Sequence, residues 1–182
     1  MLQRPGLQVV QRQGAAEVIA LQLLAIQRAQ HLGRGQVFHA FGHNTQAQGV
    51  AQRNQPLQQR HQIDFVVING ENASHGRGLT EGHFADLKAA GADVVTLGDH
   101  AFDQKDMISY CETEGRILRP LNFSKVAPGR GARVFTATQG RRVLVLQALG
   151  QVFMKRPFDD PFSAVEGILK THPLGGSVQA TI

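Results

Sequence analysis

Apolar residues fall along this chain in two different ways, and the change comes at Ile63. From Ile63 to Asn69 the positions are almost continuously apolar and β-branched, and the run stops at Gly70, the pattern of a strand buried on both faces. Ala92 to Gly98 repeats the pattern about one βα unit later. Between them Thr80 is placed to cap a helix whose apolar positions Phe84, Leu87 and Ala90 recur at helical spacing, with Gly91 as its stop. The spacing predicts a second helix over Lys105 to Glu114, ended by Gly115, with Met107, Ile108 and Cys111 facing inward. A short third strand follows at Ile117 to Leu121. Arg133 to Thr138 and Arg141 to Leu149 are β-rich runs on either side of Gln139-Gly140, a hairpin signal because glycine accepts the positive φ of a tight turn. Pro157 and Pro161 break the next stretch. Phe162 to Lys170 then reads as a helix with Val165, Ile168 and Leu169 on its apolar side, and Val178 to Ile182 opens another strand. The expected fold class is α/β, a layered mixed sheet with flanking helices.

Ahead of Ile63 the pattern dissolves. Fourteen glutamines lie between Met1 and Arg60, and the one sustained apolar pattern spans Ala15 to Leu32, where Val18, Leu21, Ile26 and Ala29 could line a helix at about residues 15–30. Arg4 and Arg12 before this run resemble the start of a signal peptide, yet Glu17 and Gln22 interrupt it and no small-residue cleavage site follows at Gln27-Arg28-Ala29-Gln30, so export is not expected. The run is also too short to span a membrane. Gly33 to Gln62 shows neither helical nor strand periodicity and is expected to be loop or disordered. The domain expectation is thus a glutamine- and arginine-rich segment over 1–62 and a folded α/β unit over 63–182.

Length and charge sharpen this division. A chain of 182 residues suits one domain with a true core. The single cysteine, Cys111, permits no internal disulfide, which makes the cytoplasm the default compartment. The net charge of +5 lies wholly in residues 1–61, which carry six arginines against one acid, Glu17; the remainder balances thirteen basic against thirteen acidic residues. The folded part therefore carries no excess of charge that would attract nucleic acid.

The chemistry-bearing residues cluster where the two strands end. Glu71-Asn72 after the first would offer a bridging carboxylate and an amide oxygen to a divalent metal. Asp99 after the second adds an oxygen ligand, and His100 beside it could donate a proton to a leaving alkoxide. In parallel α/β sheets the crevice beyond the carboxyl ends of the strands is where such chemistry sits. The same residues also allow a plain structural role, with Asp99 capping the following helix and Glu71 in a solvated loop.

Taken together, Asp64-Phe-Val-Val-Ile-Asn-Gly-Glu-Asn72, Gly76-Arg-Gly-Leu-Thr80 and Thr96-Leu-Gly-Asp-His-Ala-Phe-Asp-Gln104 resemble the YmdB-type branch of the calcineurin-like metallophosphoesterases. Leu118-Arg-Pro-Leu-Asn122, Pro128-Gly-Arg-Gly131, Val152-Phe-Met154 and Asp159-Asp-Pro-Phe162 extend the likeness from about Ile63 to the end. The resemblance implies a calcineurin-like metallophosphoesterase core and a phosphodiesterase holding two divalent ions, iron or manganese, that acts on small phosphodiesters such as 2′,3′-cyclic nucleotides. It also implies roles: Glu71 as the bridging ligand, Asn72 as a ligand of the first metal, Asp99 as a ligand of the second and His100 as proton donor.

Departures from the family pattern shape the expectation further. The family has asparagine where Asp99 stands; aspartate still ligates, but adds a charge that tightens metal binding and opposes an anionic substrate. Gln147-Ala-Leu-Gly-Gln151 replaces the family's Asn-x-Met-Gly-Arg. No Gly-Asp pair precedes Gly98-Asp99 to match the family's opening ligand, and the family's distal histidine strands have no counterpart up to Ile182. His31, His39, His43, His61, His75, His83 and His172 do not match those motifs. A shifted reading frame or misplaced start would produce a lysine-free, glutamine-rich sequence of this kind. The expectation is accordingly a truncated core with half of a dinuclear site, weakly active or inactive. The competing functional class is a non-catalytic α/β remnant whose basic N-terminal arm binds nucleic acid or another anion, although only Phe38 and Phe41 interleave with its arginines as stacking platforms. No membrane association is expected, and the oligomeric state is not legible from the sequence.

Overall fold

The computed structural model describes residues 22–25, 34–39, 63–154 and 157–182. Its strands are β1 (Gln22–Ala25), β2 (Arg34–His39), β3 (Ile63–Asn69), β4 (Val94–Thr96), β5 (Ile117–Leu118), β6 (Ala132–Thr136), β7 (Arg142–Leu146) and β8 (Ala180–Thr181). The described helices are α1 (Glu81–Ala89), α2 (Lys105–Thr113) and α3 (Pro161–Thr171). Five strands form one sheet in the order β1-β2-β3-β4-β5, and β6-β7-β8 form a second. From β2 to β5 every pairing is parallel, so these strands deliver their carboxyl ends to one rim. The second sheet is a β6/β7 hairpin with β8 added parallel to β7.

Burial explains why β3 reads as an unbroken apolar run. Alternate residues of a strand point to opposite faces, and here both faces are covered. Val66 and Ile68 join Phe84 and Leu87 of α1 and Met107 and Cys111 of α2 in one core, while Phe65 and Val67 join Val143 and Val145 of β7 in another. The same division holds for Val95 against Val94 and for Ile117 against Leu118. Phe65 and Phe135 meet across the gap between the sheets, ring centres 5.9 Å apart.

Local signals mostly act where the sequence places them. Thr80 caps α1, its Oγ1 accepting the His83 backbone N–H at 3.2 Å, and Gly91 beyond the helix takes φ 97°. At the hairpin both Gln139 (φ 60°) and Gly140 (φ 73°) take the left-handed region. Four expectations change. A helix over 15–30 is contradicted at Gln22–Ala25, which is the strand β1; its other residues lie outside the described ones. Arg34–His39 is not loop but β2, lying parallel to β3 with Val37 opposite Val67 and Phe38 opposite Ile68. Backbone pairing needs no apolar periodicity, and the flank of β3 offers a row of N–H and C=O groups to any segment that can extend. Ile108 is 45% exposed rather than inward, because Met107 and Cys111 already fill the buried face of α2 at i, i+4 spacing. Finally, Pro161 begins α3 instead of breaking the segment: it needs no N–H at that position, and Asp160 caps the helix by accepting the Ser163 N–H at 2.8 Å. The basic arm of the competing reading lies almost wholly outside the described residues, with β1 and β2 as its described parts.

The loops at the rim are tied together by Asn122, which has no exposed surface. Its side-chain amide donates to the Leu149 carbonyl at 2.9 Å and the Asp159 carbonyl at 3.0 Å, and its Oδ1 accepts the Leu149 N–H at 2.9 Å. The loop after β5 is thereby fastened to the long connection after β7. Replacing Asn122 with alanine leaves buried backbone groups without partners, so the chain should lose about 3 kcal/mol of stability. Urea unfolding would measure this, and limited proteolysis of the variant should begin within residues 147–160.

Candidate metal centre

The rim residues are placed by strand register. Asn69 pairs with Thr96, so the turns that leave β3 and β4 start level with each other. The Gly70 N–H donates to the Thr96 carbonyl at 2.9 Å, and the Glu71 N–H donates to Asn69 Oδ1 at 2.9 Å. These bonds send the Glu71 side chain toward the end of β4, where its Oε1 accepts the Asp99 N–H at 3.0 Å. The carboxylate lies directly over Gly98: a Cβ there would come within 2.1 Å of it. Gly98 is thus required by close approach.

Glu71 is half-buried, and its pKa is raised from 4.5 to about 7. Burial is the largest cause, followed by the hydrogen bond with the Asp99 side chain and that group's charge; the Asp99 N–H and His100 pull the other way. In the absence of a cation the two acids compete for one polar space. His100 completes the group, with Nε2 4.0 Å from Asp99 Oδ2 and Nδ1 2.8 Å from Asp103 Oδ2. One ligand atom from each of Glu71, Asp99 and His100 lies within 4.8 Å of the others. The two carboxylates are oxygen donors that suit a divalent ion such as manganese or iron, and the ion would relieve the repulsion between the acids, with the His100 imidazole left beside it. The residues present fit such an ion.

Of the residues singled out from sequence, Glu71, Asp99 and His100 come together. Asn72 follows in the same turn, half-exposed, and its amide has no hydrogen-bond partner among the described residues. Asp99 does not cap the next helix: the N-cap of α2 is Gln104, which makes no side-chain capping bond. Gln151 closes its own loop by donating to the Phe158 carbonyl at 2.8 Å. His75 and His83 meet edge to face with ring centres 6.5 Å apart, and His172 bonds the carbonyl of Ile168 at the end of α3. The side chains of His31, His39, His43 and His61 lie outside the described residues. Sequence reasoning overlooked Gly98 as a contact residue and Asp103 as the partner of His100. The three-residue spacing His100-Ala-Phe-Asp103 was the available signal for the latter.

Two outcomes follow from this geometry. Gly98→Ala should displace the Glu71 carboxylate and cost about 1–3 kcal/mol through overpacking, read as a lower urea midpoint. The second outcome concerns pH. Because the folded chain holds Glu71 at a raised pKa, protonation of this group favours folding: its contribution is complete below about pH 4.5 and is lost as pH rises through about 7. The metal-free chain should lose stability across that window, and Glu71→Gln should flatten the slope. An unchanged slope in that variant would show that another group binds the proton.

Comparison with known proteins agrees with this architecture. A family model described as YmdB-like protein matches residues 35–180, beginning ahead of Ile63 and so taking in most of β2. A 2′,3′-cyclic-nucleotide 2′-phosphodiesterase of Bacillus subtilis is 34% identical over 113 residues, 62% of this chain and 42% of that protein. Among solved structures, a hypothetical protein from Thermus thermophilus is 36% identical with a TM-score of 0.62, covering 68% of this chain and 47% of its own. A novel phosphatase from Mycoplasma pneumoniae is 26% identical, again with a TM-score of 0.62, over 69% of this chain and 46% of its own. The chain spans less than half the length of these relatives. Its α/β core, its rim of acids and histidine, and a match that covers residues 35–180 agree: the chain belongs to the YmdB-like protein family.

Proposed function

We propose that the rim is the centre of a metal-dependent phosphodiesterase acting on small phosphodiesters, with 2′,3′-cyclic nucleotides as the substrate class. The observation that supports this is the convergence of Glu71, Asp99 and His100 within 4.8 Å at neighbouring strand ends, in a member of the YmdB-like family. Iron or manganese ions would be held by Glu71, shared between the two, by Asn72 for the first and by Asp99 for the second. When bound, such ions polarise the phosphoryl oxygens and lower the pKa of water.

The chain's own groups do the rest. The Asp99 N–H and the bare face of Gly98 hold the Glu71 carboxylate in place before any ligand arrives. His100 Nε2 gives a proton to the ribose oxygen as its bond to phosphorus breaks. A water oxygen forms the new bond to phosphorus, and its proton passes to solvent. Asp99, as aspartate, strengthens the hold on a cation and repels an anionic ester. Among the described residues three protein ligands serve two ions, and slow turnover is the outcome this reading expects. The lone, buried Cys111 fits a reducing, cytoplasmic setting, and no described helix is long and apolar enough to cross a membrane.

Hydrolysis of 2′,3′-cyclic AMP with and without manganese tests the proposal. Slow, manganese-dependent turnover is expected, stopped by a chelator and at least tenfold lower in Glu71→Ala. Asp99→Asn should weaken manganese binding several-fold and lower KM for the anionic ester. Turnover that ignores both the chelator and Glu71→Ala would refute the assignment.

A further inference from the structure

Val152-Phe-Met154 has no part in the metal centre, yet the connection that carries it is fixed to the rim. The Gln147 carbonyl just after β7 accepts the Leu121 N–H at 2.6 Å, and Asn122 holds Leu149 and Asp159 on either side of the segment. Met154 and Phe158 pack against the core shared with α1 and α2. Phe158 also stacks on Phe123, ring centres 5.0 Å apart, and Phe123 meets Phe102, two residues past His100, at 5.8 Å. Phe123 thus bridges the loop that carries Phe153 and the turn that carries His100.

Phe153 itself is wholly exposed and takes φ 62°. It is the third residue of a turn closed by the Met154 N–H donating to the Gln151 carbonyl at 3.3 Å, and positive φ at that position is normally left to glycine or asparagine. An exposed phenylalanine is ordinary on a protein surface, whereas a bulky residue at positive φ is not. Here the ring gains no burial that would offset the strain, and the turn would form more easily without it. Strain that packing does not compensate gathers where ligands are held.

We propose that Phe153 is a stacking platform for the base of a nucleotide whose phosphate lies at Glu71 and Asp99, a specificity-determining residue that separates nucleotide esters from base-free ones. A phenyl ring offers a base a flat apolar face and no hydrogen bond, so it holds bases without choosing among them by edge contacts. The inference rests on the phosphodiester reading of the rim and adds the part of the substrate that the ions do not touch.

The chain has no tryptophan, so Phe153→Trp places a single fluorescent reporter at the turn. With manganese present, AMP should quench that fluorescence saturably while ribose 5-phosphate, which lacks the base, leaves it unchanged. Phe162→Trp, on exposed α3, should respond to neither. Equal responses to both phosphates, no response to AMP, or the same quenching at Trp in position 162 would overturn the assignment. So would a signal that shifts with protein concentration and ignores AMP, since a second copy of the chain would then be what covers the ring. The kinetic arm uses Phe153→Asn, which accepts the same turn and lacks the ring. Its KM for 2′,3′-cyclic AMP should rise at least about fivefold more than its KM for glycerol 1,2-cyclic phosphate, the loss expected for one stacked base. Its urea midpoint should be no lower than the parent's. Equal changes in KM for the two esters would also overturn the proposal. Quenching reads without any turnover: AMP quenching without hydrolysis would sink the phosphodiesterase reading and keep the base platform, and manganese-dependent hydrolysis without quenching would do the reverse.

Discussion

One unfavourable contact organises the rim: the half-buried Glu71 carboxylate, pressed over Gly98 and against the acidic side chain of Asp99. Two carboxyl groups in a partly desolvated space cannot both be charged cheaply, so the pair must take up a proton or a cation. The fold supports this arrangement with backbone donors, through the Asp99 N–H, and with a glycine that removes every side-chain atom from the contact. The register of β3 against β4 brings the two acids level, and that register is fixed by apolar residues buried on both faces. Core packing and site geometry thus share one cause.

Around this pair the strand-end loops behave as a single frame. Asn122 links the loop after β5 to the connection after β7, and the Leu121 N–H reaches the Gln147 carbonyl at 2.6 Å. Phe123 stacks on Phe158, ring centres 5.0 Å apart, and also meets Phe102 from the turn that carries His100. Arg119, almost fully buried, donates to the carbonyls of Pro120 and Pro128 and stiffens the loop between them. Burial lowers its pKa from the ordinary value, and backbone oxygens rather than an acid accept its hydrogen bonds. Such a frame keeps donor atoms in place without help from a ligand, which is what a preorganised centre requires.

How much of this was legible in the sequence depends on the range of each interaction. β3, β4, α1 and the β6/β7 hairpin declared themselves because burial on both faces, a cap, a glycine stop and a tight turn are local signals. Glu71, Asp99 and His100 were legible as residues that follow strand ends. β2 was not, since Arg34-Gly-Gln-Val-Phe-His39 joins the sheet through backbone groups and leaves no alternation to read. The contacts of Gly98 and Asn122 were not legible, because the partners that define them lie 27 or more residues away, at Glu71, Leu149 and Asp159. The apolar side of α3 was read correctly as a pattern, but Phe162 is 83% exposed and Leu169 40%. Periodicity reports an apolar stripe and says nothing of what covers it.

The central claim is that Glu71 and Asp99 hold a divalent cation at this rim. Paramagnetic broadening by sub-stoichiometric manganese, followed on the backbone amides of the ¹⁵N-labelled chain, addresses it most directly. The account requires the signals of residues 70–72 and 98–101 to vanish first, while those of α3 and of the turn at Thr138–Gly140 persist. Broadening centred on His75 and His83, or no selective loss at all, would contradict it.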